Sequence, residues 1–389
     1  MNLLQDILVI DFSQFLSGPS AALRLADLGA EVIKIEKPGT GDICRQLYVS
    51  DIIIEGESTI FHAINRNKKS YAADLKDADD LEKIKLLLAK ADVMMHNFRP
   101  GVMKRLGLDY ETVKKINPSI IYAEISGYGS EGPWKDLPGQ DLLLQSATGL
   151  TWLSNNSDEN PTPMGVAVVD IMAGTHIAQG ILATLYKRSI NGEGALVQVS
   201  MFESALDFQF EVLTCYYNDG NQLPVRSAIN SGHAYVAAPY GIYKTKDEYI
   251  ALAMTDIVRL GTLLQCESLK EFTDVSDWFE KRDEIKKILA THLINETAEH
   301  WLTILEKADV WCAPVLNYDR LMKEEGYRVL NMEITVKTSK GLSVKTTRCP
   351  IRVDGKLLVS DKGAPFLGEH NEEIDKQFGL TKELQPIKR

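Results

Sequence analysis

The chain has 389 residues, 44% hydrophobic and 25% charged, with 54 acidic and 43 basic residues for a net charge of −11. The length exceeds one small module and the composition is that of an ordinary globular protein, so two or three packed domains are expected and dominant disorder is excluded. With no Lys/Arg block on so acidic a chain, nucleic acid is an improbable partner, and an anionic ligand must be held by local cations.

The opening "MNLLQDILVIDF" lacks the basic region and long apolar stretch of a signal peptide. No later stretch approaches ~18 uninterrupted apolar residues, so a cytoplasmic protein with no membrane partner is expected. Cys44, Cys215, Cys266, Cys312 and Cys349 form no CxxC pair, and no histidine stands at zinc-ligand spacing. Neither a disulfide framework nor a bound metal is expected.

Taken in order, "DILVIDF" reads as a strand, "SAALRLADLGA" as a helix ending at glycine, and "EVIKIEK" as a second strand. The helical pattern "DADDLEKIKLLLAKA" then leads to the strand "DVMMHNF", and "ETVKKINP" leads to "SIIYAEISGYG". Such alternation predicts an α/β fold with a Rossmann-like, doubly wound parallel sheet. After a long helical segment from Asp170, "NGEG" turns into one more strand and a helix. From Leu223 to Ala238 the chain is turn-rich, and "GIYKTKDEYIALAM" reads as two short strands, which predicts a second, smaller α+β domain. Near the end "EITVKTSKGLSVKTTRCPIRV" is strand-like, and "APFLGEHNEEIDKQFGL" combines a turn with a short amphipathic helix.

A doubly wound sheet binds ligands at the carboxyl ends of its strands. The loop "FSQFLSGPSAA" after the first strand contains only Gly18, so the three-glycine dinucleotide fingerprint is missing, although Glu36 stands where a ribose could be held. The neighbouring loops offer cations and amides instead: Lys37, then Asn65, Arg66, Asn67 and Lys68, then Arg99, Lys104 and Arg105. Together they suit a phosphorylated ligand with an adenine sandwiched between apolar groups; each taken singly is equally a solvated surface residue. Asp170 lies between a run of small apolar residues and the long helix. It reads as a helix N-cap, and the helix N-terminus would also keep it ionised and able to act as a nucleophile.

The stretches "GPSAALRLADLGAEVIKIEKPGTGD", "NRNKKS", "ADVMMHNFRPGVMKRLGLDY", "INPSIIYAEISGYGSEGP", "VVDIMAGTHIAQGILATLYKR", "GEGALVQVSMFESAL" and "PFLGEHNEEI" occur in this order over nearly the whole chain. In them the chain resembles the family III coenzyme A transferases, the CaiB/BaiF group that includes formyl-CoA:oxalate and carnitine CoA-transferases and, as relatives, the α-methylacyl-CoA racemases. The resemblance implies a large Rossmann-like CoA-binding domain over residues 1–200, a linker over 201–224, a small α+β domain over 225–325 and a return segment over 326–389. It also implies an interlocked homodimer. The activity it implies moves CoA from an acyl-CoA to a carboxylic acid through an aspartyl anhydride and an aspartyl-CoA thioester on Asp170, with no permanently bound cofactor.

Site residues carry over by position. Leu16, Lys37, Ala73, Leu75, Lys76, Asn97, Phe98 and Arg105 match CoA contacts, while a lysine found in some members is replaced by Pro138, with Lys135 nearby. Leu47, Gln140, Asp141 and Gly232 match the substrate pocket or gating loop. Racemases of the superfamily place a histidine before the aspartate of this segment. Here Gln140 precedes Asp141, and an amide cannot shuttle a proton as imidazole can, so transfer is favoured over racemisation. A CoA-binding regulator is the third reading, disfavoured because Asp170 is retained. Leu16 and Leu47 replace the glutamine and tryptophan of the oxalate-specific branch, which implies a less polar or larger acceptor acid.

Overall fold

The computed structural model describes residues 2–47, 52–54 and 56–380. The chain divides into two compact units, one comprising Met1–Leu144, Ala167–Ala205 and Leu330–Arg389, the other Gln145–Val166 and Leu206–Val329.

The first unit is built on a six-stranded parallel sheet. Its strands are β1 (Leu8–Asp11), β2 (Glu31–Glu36), β3 (Lys69–Ala72), β4 (Val93–His96), β5 (Ile121–Ser126) and β6 (Ala195–Ser200), in the order β3-β2-β1-β4-β5-β6. The order reverses between β1 and β4, which places a ligand crevice at the carboxyl ends of those two strands. Val9 pairs with Val32 on one side and with Val93 on the other, and all three are buried. Strands covered on both faces read as continuous apolar runs, which is why β1, β2, β4 and β5 were predicted. Strand β3 was not. Its four residues, "KSYA", form an edge strand too short and too polar to stand out from the loops around it.

Among the described residues, six helices lead up to the long one: α1 (Ser17–Asp27), α2 (Thr59–Asn65), α3 (Ala78–Leu88), α4 (Val102–Arg105), α5 (Tyr110–Ile116) and α6 (Asp141–Ala147). The 24-residue α7 (Val168–Asn191) packs along α1, burying Val169, Ala173, Ile177 and Ile181 in the core on that side of the sheet. Helix α7 is the one helix among the described residues with the length and hydropathy of a membrane span. One stripe of it is buried against α1, while the opposite face is exposed in this chain. A C-terminal helix, Asn371–Phe378, returns to β3, where Asn371 exchanges hydrogen bonds with the Ala72 backbone at 2.8 and 2.9 Å.

The second unit contains the expected pair of short strands, β7 (Gly241–Lys244) and β8 (Tyr249–Leu252), extended by β9 (Cys312–Pro314) into an antiparallel sheet of order β9-β8-β7. Helices Ile257–Leu263, Arg282–Leu293 and Ala298–Lys307 complete its core around Tyr243, Ile250 and Trp301. The late strand-like stretch is a hairpin of the first unit, β10 (Glu333–Lys337) with β11 (Ser343–Thr347).

Candidate active site

The loop after β1 is braced by buried charge rather than by glycines. Lys34, in the middle of β2, is inaccessible to solvent; its ammonium donates to the Ser13 carbonyl and pairs with Asp42, both at 2.7 Å. Lys68 is also buried and donates to the Pro19 carbonyl at 2.9 Å, to Asn65 Oδ1 at 2.9 Å and to Asp11 at 3.1 Å. Burial opposes the Asp11 charge, but Lys68, Lys34 and Ser13 outweigh it and hold the carboxyl below its ordinary value. Asn97, at the end of β4, closes the brace by accepting from the Gln14 amide at 2.8 Å and donating to the Gln14 carbonyl at 2.7 Å. The segment from Ser13 to Ser17 is therefore fixed before any ligand arrives.

Asp170 faces this segment from the first turn of α7. It is not the N-cap: the helix begins at Val168, the preceding Ala167 has no capping side chain, and Asp170 is the third helical residue. Asp141, the first residue of α6, supplies the cap. Its Oδ1 accepts from the amides of Val169 at 2.8 Å and of Asp170 itself at 3.2 Å. A carboxylate at N3 would ordinarily be stabilised by the helix dipole. Here burial first, and the charge of Asp141 second, push the Asp170 carboxyl up to about 6, against the hydroxyl and amide of Ser17, which lower it. Asp170 is thus ionised at neutral pH but poorly solvated, the state in which a carboxylate is most reactive toward a carbonyl. Cys44 lies within electrostatic reach, and burial raises its thiol to about 12, leaving it neutral.

Residues 4–371 match the sequence model described as CoA-transferase family III. The chain belongs to the family III CoA-transferases. It is 34% identical to the acetyl-CoA:oxalate CoA-transferase of Acetobacter aceti over 96% of this chain and 95% of that one. It is 30% identical to the succinyl-CoA:glutarate CoA-transferase of Mus musculus over 97% and 86% of the two chains. The crystal structure of a CAIB/BAIF family protein from Brucella suis superposes with a TM-score of 0.83 at 28% identity, covering 96% of this chain and 99% of that one. The chain is an enzyme of the CoA-transferase class, and its parallel-sheet fold is that of the family.

In this transferase the positions matched to CoA contacts gather at one edge of the first unit. Leu16 follows β1, Lys37 follows β2, Ala73, Leu75 and Lys76 follow β3, and Asn97 and Phe98 follow β4, so four adjacent strands point their carboxyl ends at one crevice. Lys37, Lys76 and Arg105 are exposed, with Arg105 closing α4. The Ala73 methyl lies in the core, so that position offers a ligand only its backbone. Phe98 stacks on His96 with ring centroids 6.2 Å apart, and its outer side borders a cavity of about 590 Å³ at the ends of β4, β5 and β6, which Arg99 and Lys104 also line.

Leu16 packs with Cys44, Phe61 and Ile64, and Leu47 is exposed. Gln140 is exposed, and Asp141 is the capping residue already described. Gly232 lies in the second unit, where a Cβ would stand 2.8 Å from the Tyr240 ring.

Several cations read from the sequence as ligand donors are instead internal. Arg66 is 1% exposed and makes a two-pronged pair with Asp27 at 2.6 and 2.9 Å. Asn65 and Lys68 belong to the brace, and Asn67 donates to the Ala26 carbonyl at 2.9 Å. Glu36 is not free for a ribose either, since Arg45 holds it at 2.6 and 2.8 Å and Ser70 donates to it at 2.7 Å. The brace escaped the sequence reading. One signal was available: a lysine in the middle of "VIKIE", a run otherwise buried on both faces, requires a buried partner.

Proposed function

We propose that Asp170 is the nucleophile of acyl-CoA:carboxylate CoA transfer. Its carboxylate attacks the thioester carbonyl and expels CoA thiolate, giving an aspartyl-acyl anhydride. The thiolate returns to the aspartyl carbonyl, releasing the donor acid and leaving an aspartyl-CoA thioester. The acceptor carboxylate then displaces the thiolate to form a second anhydride, and thiolate attack on the acceptor's acyl carbon yields the new acyl-CoA and regenerates Asp170. The observation that carries this reading is a half-buried carboxylate, ionised at neutral pH, fixed on a capped helix beside a rigid loop. The names of the relatives, which pair an acyl-CoA with a dicarboxylate, support the same exchange. Lys37, Leu75, Lys76, Asn97, Phe98 and Arg105 are proposed to hold the CoA moiety, which is bound as a substrate.

Brief mixing with acetyl-CoA or succinyl-CoA, followed by hydroxylamine trapping and peptide mapping, is expected to place a hydroxamate on Asp170. No adduct with any donor, together with α-proton exchange into a branched acyl-CoA in deuterated water, would overturn transfer in favour of racemisation.

The acceptor is proposed to be less polar or larger than oxalate, because Leu16 belongs to the apolar cluster of Cys44, Phe61 and Ile64. Leu16→Gln should then shift the kcat/KM ratio toward oxalate over an aliphatic acid by about tenfold, the scale of one pocket contact. An unchanged ratio would remove this part of the reading.

We also propose the interlocked homodimer. Tyr186 and Ile190, near the end of α7, are 72% and 71% exposed, an apolar surface that a second chain would cover. Sedimentation equilibrium is expected to give twice the chain mass; a monomer at micromolar concentration would count against it.

A further inference from the structure

The start of α1 and the first turns of α7 approach backbone to backbone. A Cβ on Gly174, one turn beyond Asp170, would stand 2.7 Å from the Ser17 carbonyl oxygen and collide with Ser20 Oγ. Only glycine lets α1 come this close, and the approach brings the hydroxyl and amide of Ser17 against the Asp170 carboxylate. From the other side Asn97 Nδ2 donates to Ser17 Oγ at 3.3 Å, while the same amide is locked to Gln14 by two further hydrogen bonds. A hydroxyl has one proton to donate. With its oxygen accepting from Asn97, Ser17 is left to direct that proton at Asp170.

We propose that Ser17, turned by Asn97, is a positioning residue that grips one carboxylate oxygen of Asp170 and leaves the other for the thioester carbon. This inference rests on the reading of Asp170 as nucleophile. The groups facing Asp170 are Asp141 from α6, Cys44 from the loop after β2 and Ser17 from α1. Asp141 disfavours the Asp170 charge and the Cys44 thiol is neutral, so no cation offsets the burial. The two groups that favour the charge both belong to Ser17.

The test follows the rate of adduct formation with acetyl-CoA against pH, together with the ionisation midpoint of Asp170 from its carboxyl infrared band, assigned by difference from Asp170→Asn. The wild type is expected to lose activity below about pH 6. Ser17→Ala should move rate limb and midpoint together to higher pH, by about one unit, so that acylation at pH 6 falls about fivefold. Ser17→Thr, which keeps the hydroxyl, should restore both. Asn97→Asp, whose carboxylate would accept the Ser17 proton and turn it away, should also move them up. Asp141→Asn keeps a capping oxygen but removes the neighbouring charge, and should move both down.

A role in packing alone would lower the melting temperature of Ser17→Ala without moving either pH value, and that result would overturn the inference. Acylation that survives in Asp170→Asn would instead overturn the nucleophile reading, a failure the infrared midpoint distinguishes because it reports on Asp170 whatever its role.

Discussion

Asp170→Asn is expected to lose CoA transfer by at least ~10⁴-fold, the scale on which removal of a covalent nucleophile is felt, and at the same time to melt higher than the wild type at neutral pH. The two effects have one cause. Burial and Asp141 disfavour the charged carboxylate in the folded protein, raising it to about 6 from an ordinary 3.8. A group whose folded value is raised binds its proton more tightly when folded, so stability is lost as pH rises from the unfolded value through the folded one. Below about pH 4 the carboxyl is protonated folded or unfolded and asparagine should bring no advantage. Between about 4 and 6 the wild type should fall progressively behind, and above 6 the deficit should level off at about 2–3 kcal/mol. Asparagine retains one oxygen to accept from Ser17. Thermal melts of both proteins from pH 4 to 8 check this. A stability difference that stays constant across the range would show that the strain does not come from the charge of Asp170.

What could be read from the sequence follows the range over which each interaction acts. Strands β1, β2, β4 and β5 declare themselves because a strand buried on both faces must be apolar throughout, and that is a local property. Asp170 stands out for the same reason, as an acid where neighbours are small and apolar. Its position in the helix does not. The cap comes from Asp141, 29 residues upstream of Asp170, and once that carboxylate fills the capping position Asp170 moves one turn inward. The direction of its proton affinity was likewise hidden, because desolvation is a property of the packed site and outweighs a helix dipole that the sequence does reveal. Lys68 was misjudged in the same way. A lysine looks alike in sequence whether it faces a phosphate or an aspartate brought in from another strand, and Asp11 lies 57 residues from Lys68.

Arg66→Met provides the sharpest contrast between a ligand cation and an internal one. The guanidinium and the Asp27 carboxylate are both removed from water and joined through two parallel hydrogen bonds. Arg24 reaches Asp27 only at 3.4 Å and is itself 40% exposed, so it cannot replace the lost partner. Deleting one member of such a pair leaves an uncompensated buried charge, which costs about 3–5 kcal/mol. Arg66→Met should therefore lower the urea midpoint sharply, while KM for acyl-CoA measured on the remaining folded enzyme stays near the wild-type value. If Arg66 held a phosphate, the pattern would reverse, with KM raised and the midpoint unchanged. The double variant Asp27→Leu/Arg66→Met separates the two readings further. With both charges gone and apolar groups in their place, most of the lost stability should return, since a buried pair stabilises little relative to well-packed apolar residues. Recovery of stability at constant KM would assign "NRNKKS" to the frame that holds the β1 loop beneath Asp170; a KM raised in both variants would assign it to the CoA site.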